Sequence, residues 1–107
     1  TRKKMEIKSL IETLKPDGIF ASDDMTALLI MKIAEELGLN VPEQLKIIGY
    51  DGTHFIEHYV PNLASIKQPI SDIAKLMVEL LLQEIQGNPA TSLEYTLPIS
   101  LLPGRSI

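Results

Sequence analysis

Apolar residues along this chain follow two alternating periods. Ile7, Leu10, Ile11 and Leu14 recur at i, i+3, i+4 and i+7, which predicts an amphipathic helix ending near Leu14. Lys15-Pro16-Asp17-Gly18 stops it, because proline ends a helix and Asp-Gly favours a turn. Ile19–Ala21 is short and continuously apolar, the pattern of a buried parallel strand. Ser22 and Asp23 offer an N-cap for a second helix over Asp24–Leu37, with Gly38 at its C′ position. Met25, Ala27, Leu28, Leu29, Ile30 and Met31 make the first half of that helix apolar almost all round, so it needs a neighbour besides one sheet. A loop over Leu39–Gln44 leads to a second strand, Leu45–Tyr50. Gly52–Tyr59 reads as a short helical turn stopped by Val60-Pro61, and Leu63–Ile66 as a third strand. Pro69 suits the first position of a further helix. Ile73, Leu76, Met77, Leu80, Leu81 and Ile85 form its apolar stripe, and Gly87-Asn88-Pro89 ends it. Leu93–Leu102 is extended, and Pro98 within it implies an edge or a crossing.

Strand and helix in alternation with short joints predict an α/β fold. The strands near 19–21, 46–50 and 63–66 are expected side by side, parallel or mixed, with right-handed crossovers placing helices on both faces. The 107 residues suffice for one small domain with a real core. Composition is ordinary for a globular protein, at 45% hydrophobic and 22% charged. There is no cysteine, which excludes disulfides, thiol chemistry and thiolate metal sites. Net charge is −4, and apart from Arg2-Lys3-Lys4 the basic residues are scattered, so these residues are not expected to grip nucleic acid. No apolar run approaches a membrane span. The basic start leads into an amphipathic segment, unlike the apolar stretch of a signal peptide.

Each of the three strands ends in groups able to hydrogen-bond a polar small molecule. Lys46-Ile47-Ile48-Gly49-Tyr50-Asp51-Gly52 delivers a carboxylate between two glycines. Ile19–Ala21 runs into Ser22-Asp23-Asp24, and Leu63–Ile66 runs into Lys67-Gln68. In an open α/β sheet the carboxyl ends of strands face the ligand crevice. Read as a carboxylate pair, Asp23, Asp24 and Asp51 could serve hydrolysis or hold a hard metal. Adjacent aspartates at a helix start favour capping and dipole stabilisation instead. His54 and His58 fall on one helical face, but no third ligand accompanies them for zinc. The sequence therefore predicts binding without catalysis, and no metal or cofactor.

Four stretches together resemble a known family. They are D-G-I-F-A-S-D-D-M-T-A, G-L-N-V-P-E-Q-L-K-I-I-G-Y-D-G, P-N-L-A-S-I-K-Q-P and L-P-I-S-L-L-P-G-R-S. In order and spacing they are similar to the C-terminal third of the lactose-repressor family of transcription regulators. Gly52, where a second aspartate is common in that family, suggests the sucrose- or ribose-operon repressor subgroup.

The resemblance implies part of a type I periplasmic-binding-protein-like domain: two three-layer α/β lobes, mostly parallel in their sheets, with a sugar or sugar-phosphate effector between them. Residues 1–67 and 96–107 would belong to the C-terminal lobe, and 68–95 to the N-terminal lobe and the crossover. The DNA-binding headpiece of the family is expected upstream, so operator DNA would be met only through a part absent from this chain. By position, Ser22, Asp51 and Gln68 are the expected effector contacts, and Asp23 the helix cap beside them. Met25, Ala27, Leu28, Phe55 and Tyr59 are the expected homodimer contacts, in a cytoplasmic repressor with no membrane partner. The alternative from the same fold is an exported sugar-binding protein of a transport system.

Overall fold

The chain is described here from a computed structural model covering residues 1–107. Helix α1 spans Arg2–Leu14, and the Thr1 hydroxyl caps it by accepting the Lys4 amide. Strand β1 is Gly18–Phe20, helix α2 Asp24–Glu36 and strand β2 Lys46–Asp51. Helix α3 follows at His54–Tyr59, strand β3 at Ala64–Lys67, helix α4 at Ile70–Ile85 and strand β4 at Ser100–Leu102. Every helix expected from the apolar periodicity is present within a residue or two of its expected ends. The long extended segment before Leu102 is strand only over its last three residues.

The sheet order is β1-β2-β3-β4, with β1, β2 and β3 parallel and β4 antiparallel to β3. Register pairs Ile19 with Ile47 and Gly49 with Ser65, so Ile47, Gly49 and Ser65 share a face. Helix α2 lies on that face through Ala27, Ile30, Ile33 and Ala34, all buried. Helix α1 adds Ile11 and α3 adds Ile56 to the same core, with Leu45, Ile47 and Leu63 at its centre. The opposite face carries Phe20, Ile48, Tyr50, Ile66 and Leu101. Phe20 meets Tyr50 edge-on at 6.3 Å, yet Phe20 and Leu101 remain 64% and 50% exposed.

Helices α1, α2 and α3 all add to the core on one face, and the other face stays open at Phe20 and Leu101. The reason is topological. The strand order runs one way from β1 to β3, and two successive crossovers of one hand must fall on one face. Helix α4 buries no residue at all; Met77, Leu81 and Ile85 stand open to solvent, and the molecule extends over 59 Å.

The carboxyl-terminal residues close the opposite end of the sheet. The Ser106 hydroxyl accepts the Ala64 amide and donates to the Ile47 carbonyl, while the Ile47 amide donates to the Ser106 carbonyl. One buried serine therefore bridges β2 and β3 where they begin. Gly104 makes this possible: a Cβ there would lie 2.4 Å from the Ala64 nitrogen.

Candidate functional site

Asp51 is the last residue of β2 and sits half-buried with a φ of 121°, a conformation side chains rarely adopt. Two hydrogen bonds tie it to the end of β3. Gln68 Nε2 donates to Asp51 Oδ1 at 2.8 Å, and the Gln68 amide donates to the Asp51 carbonyl at 3.0 Å. Two of the three expected ligand contacts are thereby in direct contact. Gly52 follows with φ 58°, so close to β3 that a Cβ would fall 2.5 Å from Lys67 Cα. Lys67 pairs with Glu57 of α3 at 2.6 Å, and this hydrogen bond holds the Glu57 carboxyl below its ordinary range.

Ser22 lies just beyond β1, at the same end of the sheet, but is exposed and donates its hydroxyl to Asp23 Oδ2 at 3.1 Å. The structure does not join it to Asp51. Asp23 is the N-cap of α2: it accepts the Thr26 amide at 2.7 Å and the Thr26 hydroxyl at 3.0 Å. The Thr26 amide, foremost, holds its carboxyl below the ordinary range.

Asp24 was legible in the sequence only as a helix-dipole residue, and its place is different. It is 4% exposed. Oδ2 accepts the Gly52 amide at 2.9 Å, and Oδ1 accepts the Ser65 hydroxyl. A carboxylate from α2 thus reaches under β2 to the peptide that follows Asp51. Gly49 of the K-I-I-G-Y-D-G stretch is the sequence signal, since only its missing side chain admits this approach.

The expected dimer contacts divide. Met25, Phe55 and Tyr59 are 71%, 57% and 76% exposed, and Leu28 is half-buried. Phe55 and Tyr59 stack at 5.3 Å on α3. Ala27 is a correction: it is fully buried against β2 of its own chain, where the absent side chain of Gly49 leaves room for its methyl, so it faces no partner. His54 and His58 do meet, with ring centres 4.0 Å apart, and His58 Nδ1 donates to the His54 carbonyl at 3.0 Å.

Chemically the strand ends offer acceptors. Asp51 Oδ2 and the Gln68 side-chain carbonyl accept no side-chain hydrogen bond from the chain, and the Lys67 ammonium beside them is paired with Glu57. Such a set suits the hydroxyls of a sugar, and no nucleophile with an activating base stands among these residues.

The whole chain, residues 1–107, matches the family model of the periplasmic binding protein-like domain. A sucrose operon repressor of Streptococcus mutans is 57% identical over 106 residues, 99% of this chain and 33% of that protein. Among solved structures, a dimeric Lac repressor superposes with a TM-score of 0.83 at 28% identity, over 95% of this chain and 38% of the other. A cellobiose complex of the transcriptional regulator CelR superposes with a TM-score of 0.84 at 26% identity, over 96% and 32%. The chain spans about a third of the length of these relatives. No helix is long and apolar enough to cross a membrane. The chain belongs to the periplasmic binding protein-like domain family, in its lactose-repressor branch.

Proposed function

We propose that these residues are part of the sugar-sensing domain of a DNA-binding repressor of a carbohydrate operon. The effector is a sugar or sugar phosphate held between two lobes, with Asp51 at its centre and Gln68 beside it. The observation that carries this reading is the pairing of Asp51 with Gln68 at the carboxyl ends of parallel strands, in a chain 57% identical to a sucrose operon repressor. Ser22, at the same end of the sheet, is the third contact, reached once its hydroxyl turns from Asp23. Residues 1–67 and 96–107 form one lobe and 68–95 belong to the other; the exposed stripe of α4 supports this, because it leaves apolar surface for a second lobe to cover.

The protein acts as a homodimer. Met25, Phe55 and Tyr59 supply exposed apolar surface for it, with Leu28 at the margin, and the solved Lac repressor relative is dimeric. Operator DNA is bound by a headpiece outside these residues, and repressor action on DNA places the protein in the cytoplasm. The transport-protein alternative draws no support from the relatives named above, which are regulators. A gel-shift titration of the intact protein on the promoter DNA of its own sugar-utilisation genes tests the reading. A shift that sucrose or its phosphate alters, and that maltose does not, is the expected result. DNA binding indifferent to every sugar would overturn it.

A further inference from the structure

The strained conformation of Asp51 needs a cause. A φ of 121° is unfavourable for an aspartate, and such conformations persist only where their surroundings impose them. The peptide that follows Asp51 is the Asp51–Gly52 peptide, and its N–H is held by Asp24 Oδ2 at 2.9 Å. The carbonyl of the same peptide unit is held by the Gln68 amide at 3.0 Å. The unit is gripped at both ends, by a buried carboxylate on one side and by β3 on the other.

Asp24 is itself held on several sides. It is 4% exposed, rises from the first turn of α2 and has its other oxygen engaged by buried Ser65. The space it occupies exists only because residue 49 is glycine. Nothing about this carboxylate serves the ligand directly, since both oxygens are spent inside the chain. A buried polar group with two fixed donors is an expensive way to stabilise a fold, and apolar packing would do as well or better. Its value lies in where it points.

We propose that Asp24 is a positioning residue for the effector site: through the Gly52 amide it sets the backbone at Asp51 and so aims the Asp51 carboxylate at the ligand. This rests on the reading of Asp51 as the central sugar contact. It also separates two neighbours by role. Asp24 carries the aim, whereas Ser65, whose hydroxyl hydrogen-bonds the other Asp24 oxygen, only secures the carboxylate.

Four variants of the intact protein, Asp24→Ala, Asp24→Asn, Ser65→Ala and Asp51→Ala, test this by calorimetry with sucrose and its phosphate, thermal melting and a crystal structure of Asp24→Ala. Asp24→Ala is expected to lower sucrose affinity at least tenfold, and in its crystal structure Asp51 leaves the positive-φ region. Ser65→Ala is expected to lower the melting temperature with affinity held within twofold. Asp24→Asn, which keeps an acceptor for the Gly52 amide, is expected to recover most of the affinity. If Asp51→Ala abolishes binding while Asp24→Ala changes neither affinity nor the Asp51 backbone, the positioning role is wrong and the site stands. If wild type binds sucrose or its phosphate and Asp51→Ala binds it equally, the site reading fails, and the Asp51 backbone in the Asp24→Ala crystal structure still shows whether Asp24 sets it.

Discussion

Asp24 and Gly49 share one space: a Cβ built on Gly49 would stand 2.3 Å from Asp24 Oδ1 and 3.2 Å from the Ala27 methyl. Gly49→Ala must therefore push the α2 carboxylate away from Ser65 and the Gly52 amide. Loss of those buried hydrogen bonds predicts a destabilisation of roughly 1–3 kcal/mol for each group left unpaired. Urea denaturation of the variant beside wild type measures it. A midpoint unchanged within error would show that the helix shifts freely and that the close approach is not needed.

The other end of the sheet gives an independent prediction. Ser106→Ala removes the acceptor of the Ala64 amide and the donor to the Ile47 carbonyl, all in a buried setting. About 1–3 kcal/mol should be lost, again from buried groups left without partners. Because these contacts lie at the amino ends of the strands, sugar affinity should stay within twofold. Stability and affinity falling together would contradict that separation.

These two serine and glycine contacts also mark the boundary of what could be read from sequence. The first helix was legible because Ile7 and Ile11 obey helical spacing and face the core. Asp51 was legible because a strand that stops at a carboxylate set between two glycines delivers that carboxylate to the ligand end of a parallel sheet. Asp24 and Ser106 were not, because each acts across 28 to 59 residues of chain, and no local period reports such partners. Ala27 was expected at the dimer from a positional resemblance, and position alone did not tell which side of the helix it lies on. A helix apolar on every side does not say which side meets the sheet; that is set by Gly49, 22 positions away by residue number.

Stability should fall in acid. Asp23, Glu36 and Glu57 are each held below their ordinary carboxyl values, chiefly by the Thr26 amide, by Lys4 and by Lys67 respectively. A depressed pKa in the folded state contributes stability above the unfolded value and loses it as pH falls through the folded one. The contribution is thus complete above pH 4.5, the higher of the ordinary values, and is lost progressively below. Melting temperatures recorded from pH 7 down to pH 3 should be level at first and then drop. Lys67→Met should remove the part of the drop that Glu57 supplies.

Association should depend on α3. Tyr59 is 76% exposed and stacked on Phe55, so Tyr59→Asp leaves the monomer's own core untouched while placing an unpaired charge on the proposed dimer surface. Such a charge costs several kcal/mol when buried without a partner. Analytical ultracentrifugation of the intact protein is expected to show a wild-type dimer and a variant that is largely monomeric at the same concentration. A wild-type monomer at high concentration would remove the basis for this surface.

Asp51 is the proposed sugar contact. Asp51→Ala deletes one or two charge-assisted hydrogen bonds to sugar hydroxyls, worth roughly 1.5–3 kcal/mol each. Isothermal titration of sucrose and of its phosphate into the intact wild-type protein, and then into Asp51→Ala, measures this directly. Wild type should bind at least one of them, and the variant should bind it ten- to a hundredfold more weakly or not measurably, with its melting temperature in the absence of sugar little changed. Equal affinity in the two proteins would contradict the claim.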